Sequence, residues 1–203
     1  AELWPEDLIL FENLPNGIIN DIEYYLNCFK EDQIAELTIY VDQPIANSSV
    51  AFSGFSDPDV GHTFIALSQG NVQRVFGFYP SEGVKPKTDV SVPSVFVNDS
   101  GHVFDVSLTV PLSNNQLINV LNSIKSTSNI YNLNDYNCTD VGMEIFNSAG
   151  FLFKLDDAEG WWPGGNGSNP GALGQEIRKM LLPDFAIRNS RGGLAMKNNG
   201  DCK

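Results

Sequence analysis

Cys138 stands where the sequence could make a thiol reactive, at the predicted start of a helix. Asn137 is a natural N-cap, and Asp140 lies three residues later, where it completes a capping-box pattern. Unpaired backbone N–H groups and the positive end of the helix dipole both favour a thiolate at this position. The pattern therefore predicts a nucleophilic cysteine, and the ordinary alternative is a small hydrophobic residue on a buried helix face.

His62 is the base that this nucleophile would need. It begins the segment GHTFIAL, which reads as a strand, and a turn at 69–71 leads into a second strand over 72–79. The chain has only two histidines, His62 and His102, so the choice of base is narrow. A thiol nucleophile requires an imidazole within hydrogen-bond reach in the fold, and the two need not be close in sequence. The alternative is a hydrogen-bonded structural histidine.

The elements that must position these two residues follow from the hydrophobic spacing. Apolar residues recur after Cys138 as on one buried helix face, and Gly150 stands where a left-handed C-terminal cap is expected. Ser113 is expected to cap the preceding helix. The other predicted elements are strands at 35–41 and 103–110, helices at 22–29, 114–123 and 172–181, a loop at 81–101 long enough to cover a cleft, and a polar end at 188–203.

Taken together, these segments resemble the circularly permuted papain-like proteins. The matching motifs are GHTFIAL with RVFGFYP, followed by YNLNDYNCTDVGMEIFNSAG, so that the histidine precedes the cysteine. That group includes the permuted NlpC-type hydrolases, the lecithin:retinol acyltransferase-like proteins and the PPPDE-type peptidases. The run from about residue 37 to 182 is also similar to uncharacterised secreted Bacteroidetes proteins.

The resemblance implies an α+β, permuted papain-like fold in which a central antiparallel sheet packs against the cysteine-bearing helix. It implies that Cys138 is the nucleophile and His62 the general base. Asn137 is similar to the asparagine that precedes the nucleophile in the acyltransferase-like and PPPDE-like members. We expect an N-terminal helical arm over residues 1–34 and the papain-like domain over residues 35–203.

The third, orienting residue is the weakest part of the match. Permuted relatives often carry a second histidine on the strand after the histidine strand, and residues 72–79 contain none. The polar candidates are Gln73 and Tyr79 on that strand and Asp105 on the next one. We take Asp105 as the catalytic candidate, because a carboxylate in an apolar strand needs a partner when it is buried. Its alternation with Ser107 and Thr109 favours a solvent-facing position instead.

Composition limits the partners of this chain of 203 residues. Hydrophobic residues make up 42%, which is enough for a packed core. The net charge is −13 with only 12 Lys and Arg, which disfavours nucleic acid and anionic membranes. No stretch approaches the ~20 apolar residues of a membrane-spanning helix. The pattern contains no zinc-ligand spacing, and we expect neither a metal nor a cofactor.

The three cysteines suggest a compartment. In an oxidising environment Cys28 and Cys202 could bridge the two ends of the chain and leave Cys138 free, as a nucleophile must be. Three reduced thiols in a cytosolic protein are the alternative. With the resemblance, this pattern favours a secreted or cell-surface protein.

The predicted function is a thiol hydrolase or acyl-transfer enzyme that cleaves an amide bond through a Cys138 acyl intermediate. Its expected substrate is a peptide or a peptidoglycan-like amide, by analogy of fold. The alternative is a non-catalytic secreted binding module with a degenerate papain-like site, in which the Gly-rich segment around Trp161 and Trp162 would form the recognition surface. The sequence leaves the oligomeric state open.

Overall fold

An antiparallel sheet runs through the centre of the protein, whose computed structural model describes residues 17–202. Its strands are β1 (Ile18–Ile19), β2 (Ala35–Asp42), β3 (His62–Gln69), β4 (Val72–Pro80), β5 (Val92–Asn98), β7 (Val106–Leu112), β8 (Ile130–Tyr131) and β11 (Ile187–Asn189). Within the described residues the strand order is β1-β5-β4-β3-β2-β7-β11, and β8 pairs with β5. Strands β2 and β3, near the centre of the sheet, are therefore each hydrogen-bonded to a neighbouring strand along both edges.

Four α-helices, a short 3-10 helix (Pro86–Thr88) and two two-stranded sheets complete the described part of the chain. The helices are α1 (Ile22–Leu26), α2 (Asn114–Lys125), α3 (Cys138–Ser148) and α4 (Pro170–Lys179). The small sheets pair β6 (Val103–Phe104) with β12 (Gly193–Leu194), and β9 (Glu159–Trp162) with β10 (Gly165–Ser168). The protein is thus mixed α+β with a mainly antiparallel sheet. None of the helices described is long and apolar enough to cross a membrane.

Helix α3 packs closely on the middle of the sheet. Gly142 makes this approach possible, because a Cβ there would lie 2.6 Å from Thr63 Cγ2 and 3.4 Å from Ile39 Cδ1. The apolar face of α3 joins Ile39 and the inner residues of β2 and β3 in the main hydrophobic core. The close contact fixes the first residue of α3, Cys138, near the beginning of β3.

The capping interactions predicted for α3 are confirmed. Asn137 Oδ1 accepts a hydrogen bond of 2.8 Å from the Thr139 backbone N–H. Asp140 Oδ2 accepts one of 2.9 Å from the Asn137 backbone N–H, which closes the capping box. At the other end Gly150 has a φ of +77°, a backbone conformation that favours glycine. The predicted Ser113 cap of α2 is present as well.

Two predicted segments of the sheet are wrong. Residues 81–101 were expected to form a loop, but Val92–Asn98 is strand β5, paired along β4. The Pro, Ser and Lys residues in the first half of this segment favoured the prediction of a loop over the whole segment, although its second half is apolar. The strand predicted over 103–110 breaks at Asp105, which separates β6 from β7.

Some predicted ends of elements also differ. Helix α1 ends at Leu26 rather than near Phe29, and α4 begins at Pro170, directly after its N-cap Asn169. The end expected to be only polar contributes β11 and β12. Residues 1–16 of the predicted N-terminal arm lie outside the described residues. The described part of that arm is tied to the rest of the protein by the Cys28–Cys202 disulfide.

Candidate active site

The candidate site lies where β3 and α3 begin. His62 is the first residue of β3, Cys138 is the first residue of α3, and both side chains are buried, each with 5% of its surface exposed. The paired register of β3 with β4 starts at Phe64 opposite Gly77. The His62 ring contacts the Tyr79 ring, with 4.3 Å between the ring centroids, and stacks on the Phe64 ring, with 5.4 Å between the centroids.

A carboxylate orients the His62 ring. Asp99 Oδ2 lies 2.9 Å from His62 Nε2, and the Asp99 residue is only 5% exposed. The other carboxylate oxygen, Oδ1, accepts a hydrogen bond of 2.8 Å from the Tyr79 hydroxyl. Burial and the Asp99 charge both raise the pKa of Tyr79, so its hydroxyl stays protonated and keeps donating. Asp99 is therefore fixed on both sides.

The free side of the His62 ring faces the thiol. Nδ1 is buried and makes no hydrogen bond with a described residue. Burial by itself lowers the pKa of His62, but the Asp99 charge, the Asp99 hydrogen bond and the nearby Cys138 thiol together raise it to about 10. The ring therefore holds a proton at neutral pH, and it lies between the Asp99 carboxylate and the Cys138 thiol.

This arrangement predicts how stability depends on pH. Because the His62 pKa is raised to about 10 in the fold from about 6.5 in an unfolded chain, its contribution is fully present below about pH 6.5 and is lost as pH rises through about 10. We expect the melting temperature of wild type to exceed that of Asp99→Asn. The difference should be largest near pH 6 and shrink between about pH 7 and 10. Thermal unfolding of both proteins across that range tests this expectation, which a margin that grows with pH would contradict.

The structure does not bring Asp105 to His62. Asp105 Oδ2 accepts a hydrogen bond of 2.8 Å from the Gln43 backbone N–H, at the break between β6 and β7. Gln73 is also remote, because it pairs with Ser68 near the opposite end of β3. Of the three candidates for the third residue, only Tyr79 reaches the site, and its hydroxyl bonds to Asp99 rather than to the imidazole.

Sequence reasoning missed Asp99 because it lies in the segment read as a loop. A signal was present: the apolar run Val95-Phe96-Val97 precedes Asn98-Asp99-Ser100-Gly101, as a strand precedes a turn. The Asp99 backbone N–H bonds to Val75 O at 3.3 Å, and its carbonyl accepts from the His102 N–H at 2.9 Å. These bonds hold the carboxylate at the end of β5, across β4 from His62.

The second histidine also lies near the site but has a different role. The His102 ring centroid is 5.6 Å from that of His62, while His102 Nδ1 bonds to the Val103 carbonyl at 2.8 Å. Asp42, whose Oδ2 is 4.0 Å from His102 Nδ1, has its pKa raised to about 6 by burial, against the opposing effect of His102. No atom of His102 is bonded to His62, so the orienting group of this site is a carboxylate.

Tyr131, which was not predicted, lies against the start of α3. Its side chain is 1% exposed. Burial raises the pKa of Tyr131, negative charge on the Cys138 thiol raises it further, and a hydrogen bond from the Cys138 backbone N–H acts in the opposite direction. The Thr139 N–H is already taken by the Asn137 cap. The Cys138 N–H, by contrast, donates to the Tyr131 hydroxyl oxygen, so these two groups lie together beside the thiol.

The paired tryptophans have separate environments. Trp162 is 1% exposed and belongs to the main core, and its Nε1 donates to Asn134 Oδ1 at 3.1 Å. Trp161, on the same strand β9, is 70% exposed. Trp162 therefore belongs to the core, and Trp161 faces solvent.

Among the described residues, no group of three or more His, Cys, Asp or Glu side chains could hold a metal ion.

Comparison of the chain with protein-family models, with curated proteins and with solved structures finds no match. The function is therefore argued from the site itself.

Proposed function

We propose that this protein is a thiol hydrolase or acyl-transfer enzyme that cleaves amide bonds, with Cys138 as nucleophile, His62 as general base and Asp99 as the residue that orients the base. The observation that carries the proposal is the bond of 2.9 Å between His62 Nε2 and Asp99 Oδ2 on the side of the ring away from the thiol. A nucleophile, a base and a third group that orients the base are the recurring elements of covalent acyl transfer.

Because the pKa of His62 is raised to about 10, its ring already holds the thiol proton when the substrate arrives, and Cys138 Sγ bonds as thiolate to the substrate carbonyl carbon. The oxyanion that forms is held by the Tyr131 hydroxyl and by the Cys138 N–H, which exchanges the Tyr131 oxygen for the oxyanion. The tetrahedral species then expels the amine, which takes the proton back from His62. In the second half, water attacks the thioester carbon with His62 as base, and the acid and the free thiol are released.

The proposed fold is the permuted papain-like one, because the histidine strand precedes the cysteine helix in the chain and α3 packs on an antiparallel sheet. A peptide or peptidoglycan-like amide is the proposed substrate class, and a secreted or cell-surface protein the proposed setting. The Cys28–Cys202 disulfide supports that setting, since disulfides persist in oxidising compartments.

Trapping of the acyl intermediate tests the proposal. Wild type is mixed with p-nitrophenyl acetate, quenched in acid and digested, and the peptide that contains Cys138 is weighed by mass spectrometry. We expect one acetyl group on that peptide, none in Cys138→Ala, and formation slower by about 100-fold or more in His62→Ala. Wild type that stays unmodified, or that is acetylated at the same rate without His62, would refute the proposal.

The oxyanion assignment gives a prediction of its own. Tyr131→Phe removes one donor beside the thiol and keeps the ring in its core site, so we expect turnover to fall by about 10²–10³-fold with little change in KM. Steady-state kinetics on p-nitrophenyl acetate measure both constants. Tyr136→Phe is the matched control, because the Tyr136 hydroxyl bonds to Glu144 at 2.6 Å, away from the thiol. Unchanged turnover in Tyr131→Phe would remove this residue from the mechanism.

The second candidate function, a binding module without turnover, is favoured by one observation. Trp161 presents 70% of its surface to solvent on the hairpin beside the site, and exposed aromatic rings are frequent anchors for ligands. Binding of peptidoglycan fragments, measured by calorimetry, would then be lost in Trp161→Ala and retained in Cys138→Ala. Trp162→Ala does not discriminate, because that side chain is part of the core.

A further inference from the structure

The Cys138 thiol is enclosed, which conflicts with access of an amide substrate. The cavity beside it has a volume of about 10 Å³ and is bounded by Gly61, Tyr131, Trp162, Ser168 and Pro170. A volume of roughly 10–15 Å³ accommodates about one water molecule. A substrate carbonyl with its flanking groups therefore requires that one wall of this cavity move.

The walls differ in how firmly they are held. Gly61 leads directly into β3, donates its N–H to Asp59 Oδ1 at 2.7 Å, and packs against the Asp42 carbonyl and Pro44. Pro170 starts α4, whose Arg178 bonds to the Asp105 carbonyl at 3.0 Å. These two walls are continuous with elements that are bonded to the main sheet.

The β9–β10 hairpin is held differently. Within the described residues its backbone bonds are those of its own ladder and its base, and none joins the main sheet. Its contacts with the rest of the protein include the buried Trp162 ring and close packing of Gly164 on Lys87. They also include three hydrogen bonds: Trp162 Nε1–Asn134 Oδ1 at 3.1 Å, Asn137 Nδ2–Ser168 O at 2.8 Å, and one between Ser168 and the Asp140 side chain. Side-chain anchors of this kind are lost more readily than a backbone ladder.

From these contacts we infer that the β9–β10 hairpin is a lid that covers the Cys138 thiol and must swing away before a peptide amide can reach it. Opening draws Trp162 out of the cavity wall and breaks the Asn137 Nδ2–Ser168 O bond, while Nδ2 keeps its bond of 2.9 Å to Leu133 O. It also joins the cavity to the polar cleft of about 540 Å³ that Asn134, Asp140 and the β10 residues line. The substrate class rests on the proposed function, but the lid itself does not.

The lid is tested by the rate at which iodoacetamide labels Cys138, with each cysteine followed by mass spectrometry. Trp162→Phe keeps a smaller ring in the core and removes the bond to Asn134, so we expect labelling to be at least about fivefold faster. One hydrogen bond changes the opening equilibrium by about that factor, and the lost ring contacts add to it. Trp161→Phe, on the same strand but exposed, is the matched control and should label like wild type.

A cross-link tests the same inference in the opposite direction. A Cβ on Gly164, at the hairpin tip, would lie 3.0 Å from Lys87 Cβ, and the Cβ atoms of a disulfide lie about 3.5–4.5 Å apart. Because Gly164 has a φ of +86°, Gly164→Cys with Lys87→Cys also strains the backbone, so the oxidised and reduced forms of this one variant are compared with each other. We expect oxidation of this variant to slow Cys138 labelling by about tenfold or more, and reduction to restore it, with wild type treated identically.

Equal labelling with the cross-link closed and open would overturn the lid. That comparison is made within one protein, so the intrinsic reactivity of the thiol cancels. Failure of the lid is therefore distinct from failure of the proposed function, which would appear as a wild-type protein that p-nitrophenyl acetate does not acylate at Cys138.

Discussion

Asp99→Asn is expected to lower turnover by about 10²–10⁴-fold, the loss seen when the residue that orients a catalytic histidine is made neutral. The amide keeps the shape of the carboxylate, but it removes the charge that raises the His62 pKa and offers the wrong partner to Nε2. Initial rates on p-nitrophenyl acetate, with protein concentration corrected for the folded fraction, measure this effect.

Asp105→Asn is the matched control for that variant. The Asp105 carboxylate accepts from the Gln43 N–H and does not reach the imidazole, so turnover should stay within about twofold of wild type. The account would be contradicted if the two variants exchanged effects, with Asp105→Asn inactive and Asp99→Asn active.

Gly77→Ala is expected to have the second largest effect, through the geometry of the same pair. Gly77 lies opposite Phe64 in the sheet, and a Cβ there would overlap both Asp99 Oδ2 and His62 Nε2. The methyl group must displace the carboxylate or the ring, so we expect turnover to fall by about 100-fold and stability by about 1–3 kcal/mol. Activity assays with thermal unfolding of the same samples measure both.

Gly70→Ala separates loss of stability from loss of geometry. Gly70 has a φ of +59° with open space around its Cβ position, so alanine there strains the backbone and costs on the order of 1 kcal/mol without touching the site. We expect a comparable drop in melting temperature with activity retained. Wild-type turnover in Gly77→Ala would mean that the His62–Asp99 contact is not needed for the reaction.

How much of the site could be predicted depended on the sequence distance over which each contact acts. The capping box of Asn137 and Asp140 spans three residues, so residue type and spacing were sufficient to predict it. The pairing of Cys138 with His62 was predicted from the chemistry that a thiol requires and from a resemblance in the order of motifs. It stays a proposal until the thiol is tested.

Asp99 could not be found in the same way. It is 37 residues from His62 in sequence, and it approaches the ring only because β5 pairs with β4 and Gly77 leaves space between them. The segment 81–101, whose first half is rich in Pro, Ser and Lys, was read as a loop, and Asp99 was therefore not considered. Asp105 was preferred because its apolar neighbours were visible locally, whereas its partner, the Gln43 N–H, was not.

Titration of His62 by NMR tests the Cys138–His62–Asp99 unit most directly. The chain has only two histidines, and His102→Gln assigns their signals. We predict a midpoint for His62 far above 6.5, near the pKa of about 10 that its contacts produce, and a lower midpoint both in Asp99→Asn and in Cys138→Ala. A His62 that titrates near about 6.5, or whose midpoint is the same with and without the Cys138 thiol, would contradict the account.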